Sequence, residues 1–297
     1  MSIKPIIGIV GTGKMGLPMA TNLMRSGYEV IAFNRSRESL ATLASLGATP
    51  LNSIAEVAAG ADLVLTSLTN QRSVRDVYLG EGGFSENARD GQIYIETSTN
   101  DIALMKEIET ALSVRGARVL DSPVSGGVTG AEAGSLTVMT GGEEAVYNAA
   151  LPVLEVIGGN IHHLGPVGAG TAMKLVNQLL VGINMAAVAE AVVFGASAGA
   201  SADKILEVIS TSFGGSKMLD RGIPLIRERN FAPATPVDLI RKDLGIIIEA
   251  AETDQLPLNI AKESLALFNR AHDEGLGEND MTAIVIPLEN DGNVNVS

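Results

Sequence analysis

Lys174, Asn177 and Gln178 lie three and four residues apart in an otherwise apolar run, so a helix would gather them on one face. A lysine flanked by two amides is unusual in a core element. Burial lowers an ammonium's proton affinity toward neutrality, where the group can act as both general acid and general base. The plainer account is a lysine that snorkels to solvent from a helix end. A glycine-rich lead, Gly165-Pro166-Val167-Gly168-Ala169-Gly170, brings the chain into this run.

A second reactive group follows a strand-like segment at Asp121-Ser122-Pro123-Val124-Ser125-Gly126-Gly127. The Ser125 hydroxyl and the N–H groups of Gly126 and Gly127 form a small nest suited to a carboxylate. The same letters also describe a flexible glycine loop with no ligand. Lys242-Asp243-Leu244 lies in another apolar stretch. Either Lys242 pairs with Asp238 one helical turn earlier, or it reaches into a ligand cleft.

The N-terminal segment is more specific. An apolar run, Ile6 to Val10, breaks into Gly11-Thr12-Gly13-Lys14-Met15-Gly16, a G-x-G-x-x-G turn, and a helix-like segment follows. Gly11 permits the tight turn, Gly13 lets backbone approach a pyrophosphate, and Gly16 allows close helix–strand packing. Gly8 to Lys14 also spells the start of a triphosphate P-loop. That motif requires Ser or Thr next, whereas this chain has Met15, and its first glycine falls inside the strand. The second strand ends in Asn34-Arg35-Ser36, where NAD enzymes of this type carry an acidic residue for the ribose. With no carboxylate to repel it, a 2′-phosphate can sit against Arg35 and Ser36, which favours NADP while leaving NAD possible. The alternative is an ordinary strand end with a solvated arginine.

The elements that must position these groups alternate along the first half. Strand-like segments at Ile6–Val10, Glu29–Phe33, Leu63–Ser67, Ile93–Glu96, Arg118–Asp121 and Leu136–Thr140, the first five separated by helical stretches, predict an α/β doubly wound parallel sheet. This dinucleotide-binding domain is expected over 1–164, and a helical domain over 165–297. The latter opens with a long helix at about 170–198, with further helices at Ser201–Ser212, Pro236–Thr253 and Pro257–Glu274 and a frayed tail from Glu289. Lys174, Asn177, Gln178, Asn184 and Glu190 interrupt the long helix too often for a membrane span.

Composition narrows the function. The chain has 297 residues, 46% hydrophobic and 19% charged, enough for a substantial core. There are no cysteines and three histidines, a poor basis for a metal site, and none is expected. A net charge of −13 argues against a nucleic-acid partner. The chain enters a strand directly from Met1 with no basic leader, so a cytoplasmic location is expected.

Taken together, these four segments in this order resemble the β-hydroxyacid dehydrogenase family, from Ile6 to about Leu288. The resemblance implies a Rossmann domain, an interdomain helix, a helical domain, and a homodimer or homotetramer. It implies hydride transfer between NADP(H) and a short 3-hydroxy carboxylate or the matching semialdehyde or glyoxylate. Lys174 is then the acid/base, with Asn177 and Gln178 holding the substrate hydroxyl or orienting the lysine. Ser125, Gly126 and Gly127 take the substrate carboxylate, Lys242 touches the cofactor, and Leu68, Thr69, Asn70 and Thr99 align with loops near the nicotinamide and its ribose. Three positions depart from the family pattern: Thr69 replaces a proline, Glu96 an aspartate, and Thr235 a phenylalanine near the substrate pocket. An imine reductase of similar architecture and a non-catalytic NADPH-binding module are the alternatives. Lys174 argues against the first and the complete residue set against the second.

Overall fold

The computed structural model describes residues 4–296. The chain separates into two compact units, with the division between Lys174 and Leu175. The first unit contains β1 (Ile7–Val10), α1 (Gly16–Arg25), β2 (Val30–Phe33), α2 (Arg37–Ser45), β3 (Thr49–Pro50), α3 (Ile54–Gly60), β4 (Leu63–Thr66), α4 (Gln71–Leu79), α5 (Phe84–Asn87), β5 (Ile93–Glu96), α6 (Ile102–Ser113) and β6 (Arg118–Asp121). These strands form one parallel sheet in the order β3-β2-β1-β4-β5-β6. The sheet grows in one direction through β2 and in the other through β4, so a crevice opens at the carboxyl ends of β1 and β4. Register brings Val10 beside both Phe33 and Thr66, which aligns the segments following all three strands.

Ile7 to Val10 are buried throughout, as a strand covered on both faces requires. Met19, Leu23, Leu43 and Leu154 fill one side of the sheet, and Val57, Tyr78, Phe84, Leu104 and Ile108 the other. The doubly wound architecture expected from the alternation is therefore present.

Beyond β6 come β7 (Val124–Ser125), α7 (Gly127–Ala133), β8 (Leu136–Thr140), α8 (Glu144–Ile157) and β9 (Gly158–His163). Here β8 belongs to a separate three-stranded sheet, β7-β8-β9, rather than to the parallel one. It pairs antiparallel with β7 and parallel with β9.

The long helix α9 (Ala169–Ser197) starts in the first unit and continues into the second. It is followed by α10 (Ala202–Ile209), α11 (Lys217–Arg227), α12 (Val237–Thr253), α13 (Asn259–Ala271) and α14 (Val285–Gly292). Among the described residues α9 is the one helix long and apolar enough to cross a bilayer. One of its faces contributes Met185, Val188, Ala189 and Val192 to the core of the second unit, with Ile223, Ile226, Ile240, Leu244 and Phe268. Its opposite side leaves Met173, Val176, Leu180 and Phe194 exposed.

Two expectations for the second unit need correction. The helix expected to Glu274 ends as an α-helix at Ala271, and His272–Leu276 continue as a π-helical turn with Gly275 at φ 85°. The tail is not frayed up to residue 296. Helix α14 runs to Gly292, the Val296 side chain is 1% exposed, and the Val296 N–H donates to Glu289 Oε1 at 2.9 Å.

Candidate active site

The turn after β1 has the geometry of a pyrophosphate seat. Gly11 takes φ +95°, and a Cβ there would lie 2.1 Å from the Ser67 carbonyl oxygen. A Cβ at Gly16 would lie 1.9 Å from the Gly11 carbonyl, so both positions demand glycine for close packing. At Gly13 a Cβ would meet nothing within 4 Å, which leaves the space before the turn open to a ligand. Helix α1 begins there with no side-chain cap and no acidic residue in its first turn. Its positive dipole end therefore faces that space. The residues fit a dinucleotide.

Asn34 turns inward at the end of β2. Its Oδ1 accepts the Thr12 N–H at 3.3 Å, while Nδ2 donates to Ser36 O at 3.0 Å and to Ser39 Oγ at 2.9 Å. Ser39 also bonds the buried Thr12 hydroxyl at 2.8 Å. Asn34 is thus a strap between the glycine turn and the β2–α2 loop. Arg35 and Ser36 are exposed, and the Ser36 hydroxyl makes no capping bond to α2. Both are available to an anion beyond the strand end.

Next to this turn, the loops after β4 and β5 are tied together. The Leu68 N–H donates to Ser98 Oγ at 2.8 Å, and Thr97 Oγ1 donates to Thr66 O at 2.7 Å. Thr69 and Asn70 are exposed, with Asn70 Oδ1 accepting the Ser73 N–H to cap α4 at 2.9 Å. Asn70 thus has a structural partner of its own. Thr99 is half-buried between Ser98 and Asn100.

Glu96 organises this edge. Its Oε1 accepts the Ser98 N–H at 2.6 Å and the Asn100 amide at 3.4 Å, and Oε2 contacts the Thr66 hydroxyl, which also bonds Tyr78. Burial pushes the Glu96 carboxyl above its ordinary value, against the lowering by Ser98, Thr66 and Asn100. A group raised in the folded state gives its full stabilisation below its unfolded value and loses it as pH rises through the folded value. Glu96→Gln keeps an acceptor for Ser98 and removes the titration. Its melting temperature relative to the wild type is therefore expected to climb as pH increases from about 4 to 8. A difference that stays flat across that range would refute the assignment.

In the second sheet, β7 ends at Ser125. Gly126 follows at φ 133° and Gly127 at φ 63°, both exposed, with open space where a Gly127 Cβ would stand. Helix α1 steadies the segment from behind: Asn22 donates to Ala131 O at 2.8 Å. The turn is pinned at its base and open at its tip.

Helix α9 carries Lys174, only 7% exposed and so not a solvent-facing lysine, and Gln178, equally buried. Asn177 donates to Gln178 Oε1 at 2.9 Å, and the Gln178 amide donates to Asp243 Oδ2 at 2.5 Å. Asp243 is 1% exposed and also meets Lys242 Nζ at 3.0 Å. The sequence offered Asp238 as the partner of Lys242. Asp238 instead bonds Arg241 Nε at 3.1 Å and His272 Nδ1 at 2.7 Å. The second unit thus joins Asn177, Gln178, Asp243 and Lys242 in one polar chain, and Asp243 is a member that spacing alone did not single out.

Thr235 sits in a loop held by Asp280. The carboxylate accepts the Thr235 N–H at 3.1 Å and forms a two-pronged pair with Arg221 at 3.0 and 2.5 Å. Burial pushes Asp280 up, but Arg221 and the N–H groups of Thr235 and Thr282 outweigh it and hold the carboxyl below its usual range.

Residues 6–165 match the NAD-binding domain of 6-phosphogluconate dehydrogenase, and residues 168–288 match the NAD-binding domain of NADP-dependent 3-hydroxyisobutyrate dehydrogenase. A 2-(hydroxymethyl)glutarate dehydrogenase from Eubacterium barkeri is 38% identical over 100% of this chain and 98% of its own length. An L-threonate dehydrogenase from Cupriavidus necator is 34% identical over 94% of each chain. The structure of 3-hydroxyisobutyrate dehydrogenase from Mycobacterium tuberculosis with L-serine superposes with a TM-score of 0.89, at 30% identity, covering 96% of this chain and 99% of that one. Full-length coverage together with the glycine turn and the long helix shows that the chain belongs to the β-hydroxyacid dehydrogenase family, NAD(P)-dependent oxidoreductases.

Proposed function

We propose that the protein interconverts a short 3-hydroxy carboxylate and its semialdehyde, with NADP(H) preferred and Lys174 as acid and base. The observation that carries this reading is a lysine buried at the start of α9, followed by an amide pair held by Asp243. When bound, the nicotinamide supplies or takes the hydride. In reduction, Lys174 as ammonium gives a proton to the carbonyl oxygen as that carbon gains hydride. In oxidation, neutral Lys174 removes the hydroxyl proton. Asn177 and Gln178 hold the substrate hydroxyl or orient the lysine. Ser125 and the N–H groups of Gly126 and Gly127 fix the carboxylate and keep the reacting carbon in place. Thr235 borders the substrate, and Lys242, Leu68, Thr69 and Thr99 border the cofactor. The names of two relatives support a hydroxymethyl group on the carbon bearing the carboxylate. Turnover of a panel of semialdehydes and glyoxylate, each with NADPH and NADH, tests the reading. No activity on any carboxylate member would overturn it.

Cofactor choice has its own test. Arg35→Ala is expected to lower kcat/KM for NADPH by about 10–150-fold, the worth of one charge-assisted bond, and to leave NADH nearly unchanged. Wild-type enzyme that works better with NADH would refute the preference. We further propose a cytoplasmic homodimer or homotetramer. The exposed apolar residues Met173, Val176, Leu180 and Phe194 of α9 support self-association. Light scattering on the purified protein measures it, and a monomer at micromolar concentration would remove this part.

A further inference from the structure

Asp121 closes β6, and its carboxylate is 1% exposed. It makes none of the ion pairs among the described residues, and two backbone N–H groups donate to it. Oδ1 accepts the Gly168 N–H at 2.8 Å, and Oδ2 accepts the Thr171 N–H at 2.6 Å. These groups stand at the start of α9, where a helix has no internal acceptors for its first N–H groups. The acceptor therefore comes from a strand end 47 and 50 residues away rather than from the residue before the helix.

Backbone contacts reinforce this anchorage. Asp121 and Gly141 exchange N–H···O bonds of 3.1 and 2.8 Å, and the Gly142 N–H donates to Gly165 O at 2.8 Å. A Cβ at Gly170 would lie 2.2 Å from Met139 O and 2.4 Å from Asp121 O, so the first turn of α9 rests directly on the strand ends. Lys174 follows Thr171 by three residues, a rise of about 4.5 Å. In the other direction, Ser125 follows Asp121 by four residues.

We propose that Asp121 is a positioning residue: it fixes the start of α9, and with it Lys174, to the strand end from which Ser125, Gly126 and Gly127 project. The proposal rests on the reading of Lys174 as acid/base. Both carboxylate oxygens are needed. Asparagine at 121 supplies one acceptor and sets an amide donor against the other N–H. Gly170→Ala leaves the carboxylate intact and wedges the helix start away from the sheet.

Both variants of the full chain are compared with wild type using the best substrate of the panel and NADPH carrying hydrogen or deuterium at nicotinamide C4. Folded fraction is taken from circular dichroism and NADPH binding. Expected is a fall in kcat per folded molecule of about 10–100-fold, the consequence of displacing a reacting group by an ångström or less. The NADPH KM stays within about threefold, and the deuterium isotope effect on kcat grows as the chemical step becomes limiting. A merely structural role would lower the folded fraction without moving the isotope effect. Wild-type kcat per folded molecule with an unchanged isotope effect in both variants would overturn the proposal, and so would failure of both to fold. Near-wild-type turnover in Lys174→Ala would instead remove the underlying reading. An inactive Lys174→Ala alongside fully active Asp121→Asn and Gly170→Ala removes this inference alone.

Discussion

Lys174→Ala is expected to lower kcat by about 10²–10⁴-fold, the worth of a well-placed acid/base, with little change in NADPH affinity. The reason is the loss of the only proposed proton donor at the substrate oxygen. Without Nζ, the developing alkoxide must take its proton from water. Lys174 is nearly buried, so the variant also opens a void, and folding must be scored separately. Lys174→Met fills most of that space without an ammonium and is expected to be as inactive as the alanine variant. Lys174→Arg keeps the charge but holds its proton too tightly to act as a base, so oxidation is expected to suffer more than reduction. Near-wild-type turnover in Lys174→Ala would remove the lysine from the mechanism. Loss of NADPH binding together with unfolding would point to a structural lysine.

The second large effect concerns the substrate carboxylate. The open turn at Ser125, Gly126 and Gly127 offers a hydroxyl and backbone N–H groups at an exposed tip. A substrate lacking the anion leaves those donors without an acceptor, and one charge-assisted bond is worth about 1.5–3 kcal/mol. That corresponds to roughly a 10–150-fold difference in kcat/KM. Succinic semialdehyde is expected to outperform butanal, and tartronate semialdehyde to outperform glycolaldehyde, by at least this margin with NADPH. Thr235 adds an expectation: less aromatic bulk favours substrates with a polar substituent. Equal kcat/KM within both pairs would end the carboxylate assignment and return attention to imine reduction.

What the sequence disclosed depended on how local the cause was. The glycine turn was legible because strand, turn and helix are contiguous, and Ile93–Glu96 and Arg118–Asp121 stood out as apolar strands and have those bounds. Strand β9 has little apolar alternation and β3 is two residues long, so neither carried a signal. Helix α11 contains Gly222 and Pro224, residues that punctuate a helical pattern, yet Gly222 lets Met185 approach to 3.2 Å of where a Cβ would stand. Among the site residues, Lys174 and its amides share a helical face, which spacing reveals. Asp121 and Asp243 find partners 47 to 65 residues away, and no local pattern announces that.

Asn34 carries a consequence for how cofactor preference changes over evolutionary time. The obvious route toward NAD is a carboxylate at this position. An aspartate could still accept the Thr12 N–H, but it could not donate to Ser36 O or to Ser39 Oγ, as the Asn34 amide does. On the proposed NADP preference, that single step loosens the β2–α2 loop as it repels the 2′-phosphate. Neighbouring sites sharing hydrogen bonds are non-additive, so the fitness of an acidic residue at 34 depends on what stands at 39 and 12. A lineage shifting to NAD is expected to alter position 39 together with, or before, position 34. Libraries that randomise 34 and 39 jointly are expected to yield NAD-using variants more often than saturation of 34 alone.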